Sequence, residues 1–245
     1  MPCPINISFP LPPSPHPQNN SIKLAAHIYH PAPNSPDCSG IAIIICQLWI
    51  SIKEQSLTNY ARPRSLEDPV QRVEEIKSAV IYLTSRRDVK PEKVGVLGIC
   101  ASGGYAPRSS NDLPIKAIAT SAAACVGTMA RRGFNKDSSS MEILNTQLEA
   151  AARDRASDGT GEKVPIDLMA NFDTFAYNGM IGPRPLLMIT GTRAVTTMWY
   201  SEDGVVKAKE PKELLVIEGP THADLYDHVD EAGAKLVEFF GKSLA

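Results

Sequence analysis

Gly98-Ile99-Cys100-Ala101-Ser102-Gly103-Gly104 is the stretch on which the reading of this chain turns. It follows an apolar run from Lys93 to Ile99, rich in β-branched residues, and precedes small residues able to start a helix, so it reads as strand, tight turn, helix. A side chain at the apex of such a turn is held in a strained backbone conformation. Only small neighbours, here Gly98 and Ser102, let the flanking strand and helix come close enough. Cys100 takes the nucleophile's place on this elbow, near a helix N-terminus whose positive end favours the attacking thiolate. The backbone N–H of Ala101 is then expected to face an oxyanion, where one donor typically contributes about 3 kcal/mol to the transition state. The competing reading is that Cys100 is a small residue buried in a glycine-rich packing turn.

Working outward, three early stretches read as strands: Ile5-Phe9, Leu24-Tyr29 and Ile41-Cys46. The third is apolar on both faces and is expected to be a central parallel strand. A helix follows, with Asp68 as N-cap, Pro69 at its first position, Gln71 at its third, and Val73, Ile76, Val80 and Leu83 along one face. Beyond the elbow, strands are expected at Ile115-Thr120, Pro185-Thr190 and Glu213-Ile217. Helices are expected from Ser201 through Ala208 and from Asp230 to Phe240, the last with Ala232, Leu236, Phe239 and Phe240 inward. This alternation predicts an α/β fold: a mostly parallel sheet with helices on both faces. Residues 126–182 lose strand character; one helical face (Met141, Leu144, Leu148, Ala151, Ala152) and a polar tract make them a small lid or cap insertion.

A thiol nucleophile needs a base, and His222 stands where one is expected, in the loop after the last strand. Its surroundings, Glu218-Gly219-Pro220-Thr221-His222-Ala223-Asp224-Leu225-Tyr226-Asp227, break the chain with Gly and Pro before the final helix. His16, His27 and His30 precede the core, and His228 reads as the start of that helix. The acid that would orient the imidazole belongs after Thr190-Gly191, where the chain has Thr192-Arg193-Ala194 instead. Asp173, Glu202 and Asp203 are the remaining candidates; the last two serve equally well as charges at the start of a helix from Ser201. A thiol–imidazole pair depends less on such an acid than an alcohol nucleophile does.

With 245 residues, 43% hydrophobic and 21% charged, the chain is expected to form one domain, 1–245, with a proline-rich irregular arm over 1–36. A net charge of −2 offers no basic field for nucleic acid or an anionic membrane, so a small-molecule substrate fits better. Ile41-Cys46 is too short to cross a bilayer and the first residues lack a secretory pattern, which points to the cytoplasm. Ser243-Leu244-Ala245 resembles a peroxisomal address without its basic middle residue. Five cysteines with no CxxC spacing argue against a disulfide framework or a structural zinc site, and Cys46 and Cys125 read as packing residues. Neither a metal nor an organic cofactor is expected.

Leu66-Glu67-Asp68-Pro69, the elbow extended through Tyr105-Ala106, Pro183-Arg184-Pro185-Leu186-Leu187-Met188 and Gly219-Pro220-Thr221-His222-Ala223-Asp224-Leu225-Tyr226 together resemble one family. It is that of the dienelactone-hydrolase-like α/β-hydrolases, and most closely the fungal polyketide transferases of fumagillin and host-selective-toxin biosynthesis. The resemblance, from about Ile22 onward, implies an α/β-hydrolase fold and an acyl (polyketide) transferase or ester/thioester hydrolase of secondary metabolism. Cys100 and His222 match its nucleophile and base, and a small acyl or polyketide substrate, free or carrier-bound, would be its partner. The alternatives are a non-catalytic or truncated hydrolase-fold protein and a dienelactone-type esterase. Two departures stand out. Cys46-Gln47-Leu48-Trp49 replaces a His-Pro-containing oxyanion loop. Only about ten residues separate Gln55 from Ser65, too few for the helix, strand and loop required there. One sheet strand, which belongs between the second and third, is therefore expected to be missing after residue 55.

Overall fold

The computed structural model describes residues 5–10, 23–32, 39–46, 48, 68–133, 141–156, 166–194, 197–227 and 229–245. Its strands are β1 (Ile5–Pro10), β2 (Lys23–Ile28), β3 (Ala42–Cys46), β4 (Val94–Ile99), β5 (Ile115–Ser121), β6 (Leu186–Gly191) and β7 (Lys212–Ile217). Its helices are α1 (Pro69–Thr84), α2 (Ser102–Arg108), α3 (Val126–Arg132), α4 (Met141–Ala156), α5 (Ile166–Ala170), α6 (Met198–Lys207), α7 (Asp224–Asp227) and α8 (Asp230–Ser243).

Among the described residues β3 to β7 form a parallel sheet in sequence order, from β3 at one edge to β7 at the other. Period-two alternation sorts its side chains to opposite faces. Val94, Val96, Ile118 and Met188 join one core with Val73, Ile76 and Val80 of α1 and Tyr105 of α2. Leu97, Ala119, Leu187 and Ile189 join the other, with Ala232, Phe240 and Leu244 from the end of the chain. Helices thus cover both faces, as expected. The α1 cap is also as expected: the Asp68 carboxylate accepts the N–H groups of Val70 (3.0 Å) and Gln71 (3.2 Å). In the Pro183-Arg184-Pro185 motif, the Arg184 guanidinium donates to the carbonyls of Ser110, Asp112, Ile115, Met180 and Ile181, tying the chain before β6 to the start of β5.

Several expectations are corrected. β3 is the sheet's edge among the described residues rather than a central strand: Ile44 and Cys46 pack on the core while Ile43 and Ile45 are 39% and 54% exposed. An all-apolar pentapeptide looks the same whether one neighbour flanks it or two. The strand missing after residue 55 concerns residues that lie outside the described ones. The strands expected at Ile5-Phe9 and Leu24-Tyr29 are present, and within the arm read as irregular they pair antiparallel with Ile5 opposite Ile28 and Pro10 opposite Lys23. Phe9 of this ribbon is buried and stacks on Tyr82 of α1, ring centroids 4.7 Å apart, which holds the ribbon to the body of the molecule. The segment from 126 to 182, expected as a lid or cap, carries α3, α4 and α5 and then runs in turns from Asn171 onward. Met169, Phe172, Phe175 and Ile181 bury into the same core as the elbow, and Arg131 of α3 donates to the Ala170 and Phe172 carbonyls. Finally, α6 starts at Met198, one turn before the expected Ser201.

Candidate active site

Cys100 sits at the C-terminal end of β4 with φ of 57°, a left-handed conformation that costs a non-glycine residue roughly 1–2 kcal/mol. The surrounding backbone holds it there: its N–H donates to Ser121 O (3.0 Å), and its own carbonyl accepts from Gly103 N–H (2.9 Å) and Ala124 N–H (2.8 Å). β4 and α2 meet at Gly98, where a Cβ would lie 2.0 Å from the Ser102 carbonyl oxygen. The glycine is therefore a packing requirement of the elbow. Ala101 is buried, and its N–H has no acceptor among the described residues, as an oxyanion donor requires. The residues expected to supply a second donor, near Gln47, lie outside the described ones.

The His222 loop is laid along the end of β6. Thr192 N–H donates to Ile217 O (2.9 Å), Arg193 N–H to Pro220 O (3.2 Å), and Gly219 N–H to Thr192 Oγ1 (2.9 Å). A side chain at Gly191 would strike Pro220 O at 2.2 Å, so the contact depends on that glycine as well. Thr221 and Asp224 then form a reciprocal cap: the Asp224 carboxylate accepts from Thr221 N–H (2.9 Å) and Oγ1–H (2.7 Å), and starts the single turn of α7. That turn places Tyr226 four residues after His222, on the same face.

His222 is half-buried, and burial holds its pKa below the ordinary 6.5, favouring the neutral base. Nδ1 lies 3.1 Å from Thr197 Oγ1, just before α6, and Nε2 is hydrogen-bonded to the Tyr226 hydroxyl. Thr197 Oγ1 also lies 3.5 Å from Ala194 O, farther than it lies from Nδ1. Burial, followed by the charge of Cys100 and a hydrogen bond directed toward it, raises the pKa of the Tyr226 hydroxyl. His222 is thus hydrogen-bonded to a tyrosine whose hydroxyl also feels Cys100.

Among the described residues no carboxylate holds the imidazole. Asp173 is exposed and accepts from Phe175 N–H (3.1 Å). Glu202 and Asp203 fall in the middle of α6 rather than at its start, and Asp203 pairs with Lys207 (2.8 Å). Thr197 fills the position beside Nδ1. Nothing local in the sequence signals it, because it lies twenty-five residues from His222. Tyr226 could have been read from the Thr221-x-x-Asp224 cap and the spacing to His222. Of the other cysteines, burial pushes the Cys46 thiol up to about 12, and Cys125, at the N-cap position of α3, has its thiol 3.0 Å from Thr128 Oγ1. Cys3 and Cys38 lie outside the described residues. Among those described, no three His, Cys, Asp or Glu side chains gather as metal ligands, and no helix is long and apolar enough to cross a membrane.

No family model matches the chain. It is similar to the uncharacterized protein PA2218 of Pseudomonas aeruginosa, 28% identical over 278 residues covering 85% of this chain and 74% of that protein. It is also similar to the uncharacterized protein YcjY of Escherichia coli, 26% identical over 296 residues covering 92% of this chain and 96% of that one. Both aligned regions are longer than the 245 residues of the chain, so each relative has internal stretches with no counterpart here. Among solved structures, PA2218 superimposes with a TM-score of 0.84 at 24% identity, over 98% of this chain and 94% of that one. The α/β hydrolase GrgF from a Penicillium species matches with a TM-score of 0.70 at 16% identity, over 99% of both chains. An esterase of Pyrococcus furiosus matches with a TM-score of 0.66 at 13% identity, over 99% of this chain and 92% of that one. The parallel sheet covered on both faces, the left-handed elbow after β4 and these likenesses together make the architecture an α/β-hydrolase fold.

Proposed function

We propose that the protein is an ester or thioester hydrolase, or an acyltransferase, that works through an acyl-Cys100 intermediate with His222 as its base. The observation that carries this reading is Cys100 itself: a strained, left-handed cysteine beside the Ala101 N–H, which has no acceptor among the described residues, with the buried hydroxyl that is hydrogen-bonded to His222 feeling its charge. Strain of this kind serves no packing purpose that glycine would not serve better. The esterase and hydrolase neighbours favour the same reaction class. The finer reading, a small acyl or polyketide substrate of secondary metabolism, rests on the motif resemblance around the elbow and His222. The test is intact-mass detection of an acyl adduct after brief exposure to an activated ester. An adduct is expected on the natural chain, absent in Cys100→Ala and slowed in His222→Ala; its absence on folded natural protein would favour a non-catalytic hydrolase-fold protein.

A further inference from the structure

We infer that Thr197 is the positioning residue of the Cys100–His222 pair, holding the imidazole through a neutral hydroxyl where an acid is expected. The inference rests on the acyl-Cys100 reading above and adds a residue to it. Two observations carry it. Thr197 is buried, and its Oγ1 lies 3.1 Å from His222 Nδ1. Thr197 is also the N-cap of α6, where a threonine ordinarily turns its oxygen onto the N–H groups of the first turn; here it makes no such bond. The hydroxyl forgoes the capping that its position offers and faces the ring instead.

Backbone anchors both partners of this contact to the end of β6. Ala194 N–H donates to Gly191 O (3.0 Å), and Ala194 O accepts from Thr197 N–H (2.9 Å) and Met198 N–H (2.8 Å). The His222 loop is tied to the same strand end by Arg193 N–H to Pro220 O (3.2 Å) and Gly219 N–H to Thr192 Oγ1 (2.9 Å). A carboxylate beside Nδ1 would only accept, fixing the N–H there and favouring the imidazolium. A threonine hydroxyl donates and accepts, so it orients the ring in either tautomer and adds no charge. The groups around the ring are of the same kind. The Tyr226 hydroxyl from α7 meets Nε2 and the Thr197 hydroxyl faces Nδ1, while Asp224 accepts from Thr221 and Asp203 pairs with Lys207. Burial is what lowers the His222 pKa. A thiol nucleophile tolerates such a base, because it ionises more easily than an alcohol.

The test uses the full chain. Acylation of Cys100 by p-nitrophenyl acetate is followed by intact mass against ester concentration and pH, and the His222 ring is titrated by NMR. Thr197→Val keeps the shape and is expected to lower the maximal rate about tenfold with the half-saturating concentration little changed; Thr197→Ser is expected to recover most of that loss. Thr197→Asp is expected to move the His222 midpoint and the acid limb of acylation together to higher pH, by about one pH unit. A merely structural role would lower Tm and leave the maximal rate and both midpoints of the folded protein in place. Thr197→Val acylated at the natural maximal rate, or a His222 midpoint unmoved in Thr197→Asp, would overturn the inference. Should Thr197→Val fail to fold, the midpoint in Thr197→Asp decides by itself. Failure of the underlying reading looks different: natural chain acylated no faster than His222→Ala, with the midpoint still moving in Thr197→Asp, would overturn acyl-Cys100 and keep Thr197 as the partner of the ring.

Discussion

Replacing Gly98 by alanine tests whether the elbow is built on the close approach of strand to helix. The added Cβ would lie 2.0 Å from Ser102 O, 2.5 Å from its carbonyl carbon and 2.8 Å from Ala106 Cβ. An unstrained contact needs about 3.5 Å, so α2 must retreat by more than an ångström. Both obstacles at Ser102 are backbone, so no rotamer change relieves them. Overpacking of this kind costs typically 1–3 kcal/mol, and a backbone obstacle puts this site at the upper end, about 3 kcal/mol. For a domain of this size that lowers Tm by roughly 6–12 °C. Gly233→Ala is the control: it lies inside α8 with nothing within 4 Å of its Cβ position, so alanine is expected to stabilise by about 0.5–1 kcal/mol. Calorimetry on both variants, with adduct formation at Cys100 measured alongside, decides the matter. Gly98→Ala as stable as the natural chain, or no less stable than Gly233→Ala, would refute the reasoning.

Cys100→Gly is expected to be more stable than Cys100→Ala by about 1 kcal/mol in denaturant titration, because glycine adopts a φ of 57° without strain; equal stability would mean that the elbow is relaxed. His222 has a folded pKa below its unfolded value of 6.5, so the unfolded chain binds the extra proton first. Its contribution to stability is constant above pH 6.5 and is lost as pH falls from there through the folded pKa. Unfolding of the natural chain against His222→Gln from pH 8 to 5 is expected to diverge only below 6.5, and the acid limb of adduct formation is expected there too. Arg184→Lys is expected to cost about 2–3 kcal/mol, since an ammonium cannot reproduce the guanidinium fork that serves five carbonyls; Cys100 chemistry at a permissive temperature is expected to persist, because Arg184 lies at the far end of β5 and β6.

Cys100 and His222, the two ends of the proposed pair, were legible because each is written in a local signal. Gly98 and the small residues after Cys100 mark a tight strand-to-helix turn, and a histidine just beyond a Gly-Pro break after the last strand falls in a loop. The imidazole's partners were less legible. Tyr226 is legible only through the Thr221–Asp224 cap, which sets the turn that brings it four residues on to the face of His222. Thr197 has no local mark at all: the end of β6, the start of α6 and the His222 loop meet only once three separate segments are packed together. The same gap between local pattern and packing explains β3 and the amino-terminal ribbon. Hydrophobicity records that a strand wants burial, and it does not record which strand will lie beside it.

By itself the sequence determined the α/β alternation, the helix cap at Asp68, the elbow around Cys100 and the position of His222, since each depends on residues within a few positions of one another. Only the tertiary structure decided that β3 would be an edge among the described residues, that Arg184 would gather carbonyls from the segments before β5 and β6, and that Tyr226 and Thr197 would flank the imidazole. Those outcomes depend on which distant backbones can approach within a hydrogen bond's length, and that is a property of the packed chain.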